Sequence, residues 1–256
     1  MVSDHEAKNP VSATKTAFEI IQALQDLDGA GITELATELD KSKGSVHNHL
    51  STLYEMGYVT KEGSKYKVGI RFLEHGIYAR KQRLLYENGQ PEVDALAEET
   101  GEMANLLVEE HGKGIYLHRA TGENAVNVDA QIGTRVHLHN TALGKAILAN
   151  LPQSRVESIL DRHGMPSTTD RTIDDRETLF DRLDLVRERG VAFDDEERLP
   201  GLQCLAVPVL NDDGVPEGAL SVSAPTRRMA DDPLESEFAD LLKDTANIIK
   251  LNITYA

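Results

Sequence analysis

Residues 32–68 constrain the fold of this chain more than any other stretch, because they join two helical patterns to a hairpin pattern. Apolar residues at i, i+3, i+4 and i+7 predict a helix over residues 32–39. Ser42 stands where its side chain can cap a second helix, which ends at Gly57. Polar and apolar residues then alternate over 58–68 around a Glu-Gly-Ser turn, which predicts a β-hairpin. Two short helices followed by a hairpin are the layout of a winged helix-turn-helix.

A third helix is predicted upstream of this pair. Apolar residues follow helical spacing over 17–27, so three helices can share one small core. Residues 13–68 are therefore predicted to form one domain. Residues 1–12 are polar and contain Pro10, which is typical of a flexible N-terminal arm.

The uneven distribution of charge indicates a partner for this domain. The formal net charge of the chain is −16, yet residues 41–83 carry nine basic and three acidic residues. A local excess of positive charge on an acidic protein favours contact with the phosphates of double-stranded DNA, although a unit of this kind can also serve protein–protein interaction alone. The second helix would present its polar face to the major groove. The predicted phosphate contacts are Lys41, Lys43, Lys61, Lys65 and Lys67, and the predicted base contacts are Ser45, His47, Asn48 and Ser51.

Length and composition limit the class of protein. A chain of 256 residues accommodates two domains. The single cysteine excludes a disulfide framework and a multi-cysteine zinc site. Because no apolar run approaches the ~18–20 residues of a membrane span and the N-terminus carries no apolar signal region, a cytoplasmic protein without a membrane partner is expected. The acidic excess also fits a protein from a halophilic source.

Residues 69–90 are predicted to form a linker helix between two domains. Apolar residues recur there at spacings of three and four. The stretch 88–91 reads Asn-Gly-Gln-Pro, which is typical of a turn and marks the predicted domain boundary.

Residues 91–256 alternate between helical and strand patterns, in an order rich in antiparallel hairpins. This order predicts an α+β domain with a central antiparallel sheet. The predicted helices cover residues 93–101, 143–151, 156–163, 176–189 and 234–251, and the predicted strands cover residues 103–109, 114–120, 125–132, 191–194, 202–210 and 215–223.

The last predicted hairpin places small polar side chains together. In its simplest register Leu210 pairs with Val215 across the turn, so Cys204 faces Ser221 and Ser223 lies further along the same face. A sheet face that carries a thiol and two hydroxyls is a candidate floor for a small polar ligand. It is equally compatible with a half-buried face whose hydroxyls are satisfied within the protein.

Short segments in a fixed order give the chain a resemblance to a known family. They are GYV at 57–59, HNTALGKA at 139–146, DDEE at 194–197, GLQCLA at 201–206 and ALSVSAP at 219–225. In their order and spacing these segments resemble the IclR family of transcriptional regulators over residues 13–250. The resemblance implies a winged helix-turn-helix followed by an effector-binding domain related to the GAF fold.

The resemblance also implies residue roles and partners. It implies a homodimer or tetramer that binds a pseudo-palindromic operator, and a small-molecule effector such as a small carboxylate or a sugar-derived metabolite of a catabolic pathway. No cofactor is implied. The implied effector contacts are Ala142, Leu143, Asp194, Cys204, Ser221 and Ser223.

Three other interpretations compete with a ligand-responsive regulator. Cys204 could be the nucleophile of a thiol-dependent enzyme, but the sequence supplies no general base at a defined spacing to activate it. His137 and His139, alternating on a predicted strand with His118 nearby, could bind a metal, although hydrogen-bonded histidines are commoner and no metal site is expected. The chain could also be an architectural DNA-binding protein that responds to no effector.

Overall fold

The computed structural model describes residues 8–126, 131–229 and 232–255. The chain divides into two compact units between Ala79 and Arg80. The helices are α1 (Ser12–Asp26), α2 (Ile32–Glu38), α3 (Lys43–Glu55), α4 (Phe72–Lys81), α5 (Leu84–Thr100), α6 (Ala142–Leu148), α7 (Gln153–His163), α8 (Arg176–Arg189), α9 (Thr226–Met229) and α10 (Asp232–Thr254). The strands are β1 (Val59–Glu62), β2 (Lys65–Val68), β3 (Met103–Glu110), β4 (Lys113–Thr121), β5 (Arg135–Val136), β6 (Ala192–Asp195), β7 (Leu202–Leu210) and β8 (Pro216–Pro225).

The N-terminal unit has the three helices and the hairpin that its sequence predicts. The Ser42 hydroxyl accepts a hydrogen bond from the Ser45 amide at 3.1 Å, which confirms the predicted cap of α3. Gly57, at φ +76°, ends that helix in a backbone conformation that few other residues adopt. The N-terminal arm predicted over residues 1–12 lies mostly outside the described residues, and its last residue already belongs to α1. The core of the unit consists of Ile20, Leu24, Leu35, Val46, Leu50, Leu53, Val59 and Tyr66 with three alanines.

The predicted turn at residues 88–91 is wrong, and so is a single linker helix over 69–90. Helix α4 ends at Lys81, and α5 begins at Leu84 and continues through Pro91 to Thr100. Burial outweighs the local turn preference here, because α5 packs on the sheet through one apolar face. A Cβ on Gly89 would lie only 2.9 Å from Leu106 Cδ2, so glycine permits close packing rather than a turn.

The C-terminal unit is an α+β domain around a six-stranded antiparallel sheet, as predicted. The strand order is β5-β4-β3-β8-β7-β6. One face of the sheet packs against α5 and α10, and its core includes Leu106, Leu205 and Val222. The opposite face packs against a layer that contains α6 and α8. Within the described part of the chain, no helix is both long enough and apolar enough to cross a membrane.

Two details of the predicted strands are wrong. Cys204 pairs with Ser223 rather than Ser221, because Leu210 pairs with Pro216 at an irregularity and the turn is longer than four residues. The Asn211 side chain stabilises this longer turn, because its Oδ1 accepts a hydrogen bond from the Val215 amide at 2.9 Å. A shift of two residues leaves the same side chains on the same face. The strand expected over 125–132 falls partly outside the described residues, and its described positions are not strand.

Candidate functional site

The first candidate site is the surface that α3 and the β1–β2 hairpin present. Val46, Leu50 and Leu53 fix the inner face of α3 in the core. The helical period therefore turns the predicted base contacts away from the core. Lys43, His47, Asn48 and Ser51 are exposed, and Ser45 is half-buried.

The five predicted phosphate contacts fall into two groups. Lys41 Nζ lies 3.0 Å from a Glu19 carboxylate oxygen, and Lys67 Nζ lies 2.8 Å from that of Glu62. The second pair raises the pKa of Lys67 and lowers that of Glu62, because the hydrogen bond between them and their opposite charges stabilise both ionised forms. The remaining lysines, which are Lys43, Lys61 and Lys65, form no ion pair with any described residue.

The second candidate site is a small, partly enclosed cavity between α6 and the sheet. Two adjacent rows of paired residues cross the sheet on this side. One row consists of Asp194, Cys204, Ser223 and Met103, and the next consists of Ala206, Ser221, Asn105 and Arg119. Antiparallel pairing thus gathers side chains from five strands around one cavity.

The structure brings together all six residues of the predicted effector site. Each of Ala142, Leu143, Asp194, Cys204, Ser221 and Ser223 lines this cavity. Their role as ligand contacts stays a prediction. Sequence reasoning missed five polar lining residues: Asn105, Tyr116, Arg119, Thr141 and Arg198. The signal for Asn105 was available, because it is the one polar residue among the first six of the otherwise apolar strand β3.

A network of hydrogen bonds connects the polar residues of the cavity. Asn105 Nδ2 lies 3.3 Å from Ser221 Oγ and 3.4 Å from Ser223 Oγ, and donates to both. Arg119 Nε donates to Asn105 Oδ1 at 3.0 Å. These bonds hold the side chains in fixed positions before any ligand arrives, which lowers the entropic cost of binding.

A buried ion pair lies behind the cavity. Lys145 on α6 is fully buried and bonds through Nζ to the buried carboxylate of Glu197. The Glu197 amide donates to Asp194 Oδ1 at 2.8 Å, and the Glu197 carbonyl accepts from Thr168 and Thr172 at 2.9 and 2.6 Å. Glu197 therefore connects α6 and the 168–172 loop, through hydrogen bonds, to Asp194 in the lining of the cavity. The sequence offered a weak signal for this pair, a lysine within an otherwise apolar helix and an acidic run distant in the chain.

Two cavity residues have pKa values above the usual range of their side chains. Burial raises the pKa of Asp194 to about 7, with the Lys145 charge opposing the shift. Burial likewise raises the pKa of Cys204 to about 12. A thiol that keeps its proton at neutral pH is a poor nucleophile, which argues against the thiol-dependent enzyme.

The histidines considered as metal ligands have other partners. Neither His137 nor His139 lies on a strand, because β5 ends at Val136. His137 lies 2.8 Å from Lys113 Nζ, and burial together with that charge lowers its pKa to about 4. His118 Nε2 lies 2.6 Å from an Asp94 carboxylate oxygen. Within the described ranges, no group of three or more His, Cys, Asp or Glu side chains is arranged to hold a metal ion.

Comparison with known proteins gives consistent matches along the chain. Residues 14–63 match the model of the IclR helix-turn-helix domain, and residues 78–251 match the bacterial transcriptional regulator IclR C-terminal model. A probable HTH-type transcriptional regulator ArcR from Halobacterium salinarum is 32% identical over 250 residues, covering 96% of this chain and 95% of that protein. The HTH-type transcriptional regulator KdgR of Escherichia coli is 34% identical over 247 residues, covering 96% and 94%. The crystal structure of the Thermotoga maritima IclR superposes with a TM-score of 0.77 at 26% identity, covering 94% of this chain and 98% of that one.

Proposed function

The chain belongs to the IclR family of transcriptional regulators, and from that premise we propose that its cavity binds a small-molecule effector that controls operator binding by the N-terminal unit. The observation that carries the proposal is the cavity itself, because it gathers polar side chains distant in sequence around a concave site. An architectural DNA-binding protein, which responds to no effector, requires no such site. The effector would be a small carboxylate or a sugar-derived metabolite, and the regulated genes would serve its catabolism in the cytoplasm.

The exposed face of α3 supports a direct role in reading DNA. A helix whose outer side chains are short and polar can lie close to base edges in the major groove. We assign base contacts to Ser45, His47, Asn48 and Ser51. We assign phosphate contacts to Lys41, Lys43, Lys61, Lys65 and Lys67. Retardation of DNA from upstream of the protein's own gene tests the proposal. No retardation at any salt concentration would contradict it.

We further propose that the chain works as a homodimer, or as a pair of dimers, on a pseudo-palindromic operator. An apolar groove lies within the N-terminal unit between α1, α3 and the start of α4. Phe18 is 61% exposed and Met56 is 49% exposed at this groove, although both are apolar. Exposed apolar patches of this kind favour association with a second copy of the chain, and two-fold symmetry would match two half-sites.

Charge placed in this groove is expected to break the dimer. In Phe18→Glu the carboxylate would lose its hydration on association, so the molar mass from light scattering should fall by half while the circular dichroism spectrum is retained. Val215→Glu, at an exposed apolar position of the C-terminal unit, is the matched control and should leave the mass unchanged. An unchanged mass in Phe18→Glu would place the interface elsewhere.

The raised pKa of Asp194 predicts how effector affinity depends on pH. Below pH 7 the carboxyl is mostly protonated and neutral, and above pH 7 it is negative, since its pKa is about 7. A carboxylate ligand is therefore repelled more strongly as pH rises, and its affinity should fall from about pH 6 to about pH 8 by at most about tenfold per pH unit. Asp194→Asn should flatten the profile measured by calorimetry. A wild-type profile with no slope in this range would contradict the assignment.

A further inference from the structure

The effector cavity has too little free volume for a ligand of several atoms. That volume is about 20 Å³, which is the room of a single water molecule. A metabolite can therefore enter only if part of the cavity wall moves. The fold holds some parts of the wall more firmly than others, and this difference indicates which part moves.

Two walls of the cavity are rigid. One is the sheet, in which β3, β4, β7 and β8 each have a neighbouring strand on both sides. Its side chains Asn105, Ser221 and Ser223 are also connected by hydrogen bonds. The other wall is α6, and every residue of that helix is buried. A Cβ on Gly144 would lie only 2.1 Å from the Leu138 carbonyl oxygen, so α6 packs against its neighbours without free space.

The third wall is the connection between β6 and β7, and its backbone is held at both ends. At the first end, the Glu197 carboxylate bonds to the buried Lys145, and the Glu197 carbonyl accepts the Thr172 hydroxyl at 2.6 Å. At the second end, the Gly201 carbonyl accepts the Thr226 amide at 3.0 Å. The backbone of this connection therefore has little freedom, and movement is left to its side chains.

Arg198 is the only residue of this connection among the described lining residues. Its side chain is half-buried, and its one described hydrogen bond runs from Nη1 to the Tyr116 hydroxyl at 3.0 Å. The guanidinium carbon also lies 5.6 Å from the centre of the Tyr116 ring. A single hydrogen bond to a neutral group and a cation–π contact of a partly exposed arginine are both weak. A change of rotamer breaks both contacts, and such changes are much faster than displacement of a helix or strand.

We propose that the Arg198 side chain is the gate of the effector cavity, closed while it contacts Tyr116 and open when it swings into solvent to admit a ligand. This inference rests on the proposed function and adds to it the route by which a ligand enters. It also gives the buried pair of Lys145 and Glu197 a second role besides stability, because that pair fixes the backbone from which the gate swings.

The rate at which Cys204 reacts with iodoacetamide measures opening of the gate without any effector or DNA. Cys204 is the only cysteine of the chain and lines the cavity. Burial raises the pKa of its thiol to about 12, so the thiol reacts slowly until the gate opens and water reaches it. Arg198→Ala removes the gate and should accelerate alkylation of the full-length protein at about pH 8 by about tenfold. Tyr116→Phe removes only the hydroxyl that holds the gate closed and should give a smaller increase.

The direction of the change separates a gate from an electrostatic effect. The Arg198 charge opposes the rise in the pKa of Cys204, so loss of that charge alone would slow alkylation. Arg171→Ala is the matched control, because Arg171 bonds to Asp195 at 2.7 Å beside the same connection but is not a lining residue. This variant should react as wild type. All rates should be constant at low urea concentrations, because opening the gate exposes little surface and global unfolding exposes much.

Four results would overturn the inference. They are unchanged or slower alkylation in Arg198→Ala, a wild-type rate in Tyr116→Phe, equal acceleration in Arg171→Ala, and rates that rise with urea as global unfolding does. If Arg198→Ala does not fold, Tyr116→Phe decides alone, because it keeps the ring and loses only the hydroxyl. The proposed function is decided separately, since it fails if the upstream DNA is not bound or if no ligand of the cavity changes operator affinity.

Discussion

Lys145→Met is expected to destabilise the C-terminal unit by about 3–5 kcal/mol, because it leaves the buried Glu197 carboxylate without its cationic partner. The Lys145 side chain has no exposed surface and that of Glu197 is 6% exposed, so water cannot replace the lost bond. Burial lowers the pKa of Lys145 while Glu197 opposes that change, and so the lysine depends on its partner to remain charged. Denaturant unfolding followed by circular dichroism measures the effect.

Two further variants separate the ion pair from simple loss of packing. Lys145→Met combined with Glu197→Gln removes both charges and should regain much of the lost stability, because an uncharged pair has no ionised group to desolvate. Arg176→Gln breaks an exposed ion pair with Asp161 and should cost no more than about 1 kcal/mol. Stability of Lys145→Met within about 1 kcal/mol of wild type would show that the buried pair contributes little.

The second large effect is expected from replacing Lys43, Lys61 and Lys65 by glutamine. The three lysines form no ion pair with any described residue, so no ion pair has to break before these ammonium groups contact phosphate. Operator affinity should fall by about 100-fold or more at low salt. The slope of log affinity against log salt should become shallower by about 0.9 for each phosphate contact that is lost. Electrophoretic retardation over a range of salt concentrations measures both quantities.

The matched control is the pair Lys41→Gln and Lys67→Gln. Each of these lysines must break its ion pair with a glutamate before it can contact a phosphate. The control should therefore lose less affinity per substituted lysine than the triple variant. Equal losses per lysine would mean that the ion pairs of the free protein do not matter for DNA binding. Lys250→Gln, in the C-terminal unit, should have no effect.

Local patterns were sufficient to predict most of the fold. The N-terminal helices follow from apolar spacing and the Ser42 cap, and the order of the last strands follows from alternation and turn residues. These features depend on neighbours in sequence. The errors arose where tertiary packing decides the outcome: Gly89 and Pro91 lie within a helix because Leu106 and the sheet bury that segment, and Val215 lies outside its strand because Asn211 lengthens the turn.

The cavity was predictable only in part for the same reason. Cys204, Ser221 and Ser223 come from one hairpin, so a pattern of alternation brings them to one face even when the register is wrong. Arg119 joins them through the pairing of β3 with both β4 and β8, and Arg198 joins them because Glu197 reaches the buried Lys145. The contact between Lys145 and Glu197 spans 52 positions and the contact between Asn105 and Ser223 spans 118. No local pattern predicts contacts over such separations.

Reciprocal coupling between effector and operator tests the central claim most directly. Operator affinity is measured with and without a saturating ligand of the cavity, and ligand affinity is measured with and without operator DNA. If the ligand controls DNA binding, both affinities change by the same factor, which for allosteric proteins is about 5-fold to 150-fold. Tight ligand binding that leaves operator affinity unchanged, with ligand affinity likewise unchanged by DNA, would contradict the account.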